Sequence, residues 1–127
     1  MNLEIETILA RAKDCLSDAE FNFEHDRLQV AANRSYYCVF DCIAALLHHK
    51  DIYAKTHQGA HQKFSELYIK SGILDIQLAK TLSKVFDLRQ SADYDYQSEL
   101  AQQDVATALD HARTFLAATK TYFEAEH

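Results

Sequence analysis

The stretch Arg89-Gln90-Ser91-Ala92-Asp93-Tyr94-Asp95-Tyr96 concentrates groups that could handle an anion. Arg89 stands four residues after Val85, seven after Leu82 and eleven after Leu78. Helical periodicity therefore places its guanidinium on the continuation of an apolar stripe. A cation in that position must emerge at the helix end or find a partner. Two chemistries follow. Asp93 or Asp95 closes an ion pair at a helix C-terminus, where positive charge is favoured. Alternatively, Arg89 faces a phosphate or other anion in a small cleft, with Tyr94 and Tyr96 as hydroxyl donors or stacking surfaces.

Histidines and a second arginine supply the other candidates. His57 and His61 are four apart and share a helix face. That spacing suits metal ligands, but two ligands do not complete a site, and the plain expectation is surface or capping histidines. His57 stands out because it opens a helix near Gly59. Arg34 and Tyr37 could line a cleft or a subunit interface, while Tyr36 reads as core. There is no H-E-x-x-H pattern, glycine-rich phosphate loop or zinc-finger spacing. The reading is of no metal and no cofactor. Cys15, Cys38 and Cys42 lie within helical patterns without a CxxC pair, as reduced near-core thiols do in a reducing cytosol.

Five helices are expected to position these groups. Proline is absent and only Gly59 and Gly72 are present, which starves a β-rich fold of turns. The periodicity predicts helices from about Leu3 to His25 and from Leu28 to His49, packed as an antiparallel hairpin. A third follows an N-cap at Thr56 and ends at Ser71-Gly72. A fourth follows a cap at Asp75 and carries Leu78, Leu82 and Val85, its pattern failing from Ser91 to Ser98. A fifth starts near Glu99. The expectation is an all-α, up-and-down bundle of four to five helices, one domain over residues 1–127.

Hydrophobic residues make up 48% and charged residues 25%, with a net charge of −6. The average surface repels free nucleic acid, so any such contact needs a local patch. The acidic N-terminus does not read as a signal peptide, and no segment has the ~20 apolar residues that span a bilayer. A cytoplasmic protein with no membrane association is expected.

Three blocks resemble the HEPN (higher eukaryotes and prokaryotes nucleotide-binding) domain family, in its small stand-alone prokaryotic branch. They are Ala31-Ala32-Asn33-Arg34-Ser35-Tyr36-Tyr37-Cys38-Val39-Phe40, Lys55-Thr56-His57-Gln58-Gly59 followed by Phe64, and Leu88-Arg89-Gln90-Ser91-Ala92-Asp93-Tyr94. The resemblance spans nearly the whole chain. It implies a helical bundle, often homodimeric and often paired with a minimal nucleotidyltransferase in a toxin–antitoxin module. It also implies metal-independent RNase chemistry in many members, from an Arg, a polar residue and a following His.

Arg89 matches that Arg and Gln90 that polar residue. Where the His is due, the sequence holds Tyr94, Asp95 and Tyr96, and the next histidine is His111. The resemblance thus implies a HEPN partner protein whose ligand-binding residues for nucleotide or RNA phosphate are Arg89, Gln90, Asp93, His57, Arg34 and Tyr37. A second implication is an active RNase with Arg89, Tyr94 and Tyr96 as catalytic residues, or with His57 arriving in space. A third reading is a structural interaction module in which Arg89 and Asp93 form only a clasp. Tyr94 and Tyr96 are also the candidates for AMPylation by the partner.

Overall fold

A computed structural model describes residues 2–95 and 99–126. Helix α1 (Leu3–Glu24) starts where the Asn2 side chain accepts a hydrogen bond from the Ile5 amide at 2.8 Å, with Glu4 and Glu6 in the positive first turn. It buries Ile5, Ile8, Leu9, Ala12, Cys15 and Ala19. Its C-terminal turn passes through Asp26 at φ 59°, a left-handed position that Asp tolerates better than most residues. Only three residues then separate it from α2 (Leu28–His48), so the two helices fold back on one another.

Helix α2 is the axis of the molecule and packs against each of the other four. Its second half is buried on nearly every side, from Ser35 and Tyr36 through Cys38, Val39, Cys42, Ile43, Ala45, Leu46 and Leu47. A helix that is apolar almost all round belongs inside a bundle. Its small residues (Ala31, Ala32, Cys38, Cys42, Ala45) leave room for neighbours to approach.

Helix α3 (His57–Phe64) begins at Thr56, whose hydroxyl accepts from the Gly59 amide at 2.9 Å. A Cβ at Gly59 would lie 2.9 Å from that hydroxyl, so the close cap requires glycine. The helix runs on through one π-helical turn, Ser65–Ile69, before Gly72 reverses the chain at φ +81°. This turn buries Tyr68, whose hydroxyl donates to the Leu46 carbonyl of α2 at 2.5 Å.

Helix α4 (Gln77–Tyr94) follows Asp75, whose carboxylate accepts from the Gln77 amide at 2.7 Å. The sequence pattern placed a break after Arg89, but the helix continues to Tyr94. An Arg89–Asp93 pair one turn apart and a bond from α2 to Asp93 hold this last turn, which has no apolar stripe of its own. Helix α5 (Gln102–Ala125) closes the bundle with Val105, Leu109, Ala112, Phe115, Leu116 and Phe123 buried. The described residues form five helices with no strand, and none is long and apolar enough to cross a membrane. The expected all-α bundle is what forms.

Candidate functional site

The last two turns of α4 lie against the middle of α2, with the start of α3 beside them. Arg89, on α4, is the hub. Its side chain is only 13% exposed, and its guanidinium carbon lies 5.5 Å from the ring centres of Tyr36, Tyr37 and Tyr94. One terminal nitrogen donates to the Tyr37 hydroxyl at 3.3 Å. The Nε atom is 2.9 Å from Asp93 Oδ2, yet it makes no aligned hydrogen bond and is fully shielded from solvent. The short distance establishes an ion pair; the poor alignment leaves a buried N–H unsatisfied.

Asp93 Oδ2 also accepts from Asn33 Nδ2 at 3.0 Å, and Asn33 Oδ1 accepts from two nitrogens of Arg34 at 2.9 and 2.7 Å. Arg34 sits 5.1 Å from the Tyr37 ring centre, so the two guanidiniums both bear on Tyr37. Beyond Arg34 opens a cleft of about 360 Å³ lined by Arg11, Asp14, Asp18, Tyr37 and Asp41 among others. Cys15, at its floor, is pushed up to about 11, chiefly by burial and next by Asp41. Burial likewise raises Asp41, against the pull of Arg11 at 3.9 Å.

On the other side of Arg89, the buried Tyr36 hydroxyl lies 2.6 Å from His57 Nδ1 and 2.9 Å from His61 Nε2. His57 stacks on Phe40 with ring centres 4.3 Å apart. Burial lowers the His57 pKa, and the charge of Arg89 lowers it further. His61 is lowered to about 4 by burial and then by His57. Tyr36 is raised, mainly by burial. At neutral pH the trio is two neutral imidazoles and a neutral phenol.

The structure thus brings together Arg34, Tyr37, His57, Arg89, Asp93 and Tyr94. Gln90 is exposed, one step round the helix, and Tyr96 lies outside the described residues. Tyr94 is 63% exposed beside Arg89. His61, expected as a surface or capping group, and His57, singled out as a candidate ligand residue, are both partly buried on Tyr36, because α3 packs on α2 and its i,i+4 face meets the phenol. Sequence reasoning missed His61 and Asn33 as parts of the site, and treated Tyr36 as packing alone. The i,i+4 histidine pair was the available signal. Its partner, 21 residues earlier, could not be read from spacing. His111 lines a separate cleft of about 390 Å³ between α4 and α5, with Lys84, Asp87, Ser91 and Asp104.

A HEPN domain model matches residues 5–122. The chain belongs to the HEPN family. Among similar proteins, the Methanocaldococcus jannaschii protein named "Putative toxin MJ0142" is 32% identical over 119 residues, covering 94% of this chain and 81% of that one. A UPF0332 protein of Thermotoga maritima is also 32% identical, over 120 residues, covering 94% and 91%. A second Methanocaldococcus jannaschii protein, "Putative toxin MJ0605", is 31% identical over 91 residues, covering 72% and 68%.

Proposed function

We propose that this chain is the homodimeric HEPN component of a toxin–antitoxin-like module, paired with a minimal nucleotidyltransferase, and that its Arg89 cleft receives the phosphate of a nucleotide or RNA. One observation carries the reading: the Arg89 guanidinium, paired with Asp93 at 2.9 Å, is gathered with the rings of Tyr36, Tyr37 and Tyr94. An incoming phosphate would bind the guanidinium in place of Asp93. Tyr37 steadies the same guanidinium, and Tyr94 sits at its solvent edge. The −6 charge means such binding depends on this local feature and not on the general field.

The test compares wild type with Arg89→Ala for binding of labelled ATP and of a labelled oligoribonucleotide, and for growth on induction. The reading expects wild type to bind, the folded variant to bind at least tenfold more weakly, and growth arrest to need Arg89. Co-purification with the product of the neighbouring gene tests the partner. Modification of Tyr94 or Tyr96 by that partner would appear in the intact mass after incubation with ATP. An Arg89→Ala protein that loses stability alone, with ligand binding unchanged, would leave only a structural clasp.

A further inference from the structure

On α4, Lys84, Asp87, Leu88 and Ser91 fall at i, i+3, i+4 and i+7, and on α5 Asp104, Thr107, Ala108 and His111 repeat that spacing. Each set is one face of its helix, and the two faces line the cleft of about 390 Å³. Faces that meet between neighbouring helices of a bundle are ordinarily apolar. Here only Leu88 and Ala108 are. The opening has the size of a small-molecule site. Arg89, one residue on from Leu88, turns away from it toward Tyr36 and Tyr37 of α2.

The two ends of this cleft differ in charge. Helix α5 follows α4 after the connection 95–101 and runs back along it. Lys84 therefore faces His111 at one end, and Ser91 faces Asp104 at the other. Burial, and next the ammonium of Lys84, lower the His111 pKa, so the imidazole is neutral at neutral pH. Its Nε2 is shielded and makes no hydrogen bond among the described residues. Turning the ring to offer that nitrogen to the cleft thus breaks no bond there. A plain anion would meet net repulsion from Asp87 and Asp104, and a plain cation would meet Lys84. A molecule with one charge of each sign at opposite ends meets neither.

We propose that the α4/α5 cleft binds a small linear zwitterion, an ω-amino carboxylic acid. Its carboxylate lies on Lys84 and His111, its ammonium on Asp104, and its aliphatic body on Leu88 and Ala108. The hydroxyls of Ser91 and Thr107 both donate and accept, so they serve either charged group. Seven residues of helix rise about 10 Å, a span that an extended chain of about six carbons and the side chains at its ends can bridge. This site is independent of what Arg89 binds.

Calorimetric titration of the full chain with ε-aminocaproate, caproate and hexylamine tests it, with the histidine imidazole resonances followed in parallel. The zwitterion should bind saturably and shift the His111 resonances while those of His57 stay in place. Caproate and hexylamine, each lacking one charge, should bind at least roughly tenfold more weakly, the size of one charge-assisted hydrogen bond. Lys84→Ala should weaken the zwitterion by a similar factor and leave hexylamine as it was or tighter. Asp104→Asn should weaken the zwitterion likewise and leave caproate as it was or tighter. Both side chains are exposed, so both variants should fold, as thermal melts would show. A zwitterion that fails to bind, or binds no more tightly than caproate or hexylamine, overturns the proposal. So does a variant that leaves the zwitterion unchanged or weakens all three ligands alike.

Discussion

Removing the carboxylate of Asp93 tests whether the end of α4 is held by the Arg89 pair. Asp93→Ala deletes the 2.9 Å contact to Arg89 Nε and the 3.0 Å acceptor of Asn33. An exposed i,i+4 pair is worth about 0.3–0.5 kcal/mol, and breaking a fully buried pair costs about 3–5 kcal/mol. Here the side chains are 13% and 24% exposed, which lies between those limits. Arg89 also keeps the Tyr37 hydroxyl and three aromatic faces. A loss of about 2 kcal/mol is therefore expected. Unfolding entropy of ~2.1 cal/mol/K per residue, over 127 residues, converts that to a Tm lower by about 7 °C. Thermal melts of wild type, Asp93→Ala, Arg89→Ala and the double variant give the measurement. The double-mutant coupling should exceed about 1 kcal/mol. A coupling at or below that of exposed pairs would refute the argument that burial strengthens this contact and carries the helix past Arg89.

Acid should destabilise the fold through the Tyr36 histidines. The folded pKa of His61 lies at about 4, below its ordinary 6.5, and that of His57 is also lowered. The unfolded chain then binds more protons, so the stability contribution is full above about 6.5 and is lost as pH falls toward 4; urea midpoints across that window check it. Tyr68→Phe removes the buried bond to Leu46 and should lower stability by about 1 kcal/mol, read as a Tm drop of about 4 °C. Cys15, raised to about 11 by burial, with Cys38 and Cys42 also buried, should resist a thiol reagent at pH 8 until the chain unfolds. Gly59→Ala should weaken the Thr56 cap and displace His57, seen as lower Tm and altered His57 imidazole resonances.

The five helices were legible in the sequence because each carries its own 3.6-residue apolar stripe, and the absence of proline left little else to form. The Thr56 and Asp75 caps and the Gly72 reversal were equally local, each a matter of one side chain or one backbone angle. The end of α4 was not, because its last turn is held by Asn33, sixty residues away in the chain, as well as by Arg89. Arg89, Asp93, Arg34, Tyr37 and His57 were singled out by charge, by spacing and by resemblance. What they face was decided only by tertiary packing. Helix α2 alone said that Tyr36 was buried, and α3 alone said that two histidines shared a face. Their hydrogen bonds exist because α3 crosses α2 at that point, and a buried phenol must find partners. Periodicity fixes which face of a helix turns inward; it carries no information about which polar group waits on the neighbouring helix.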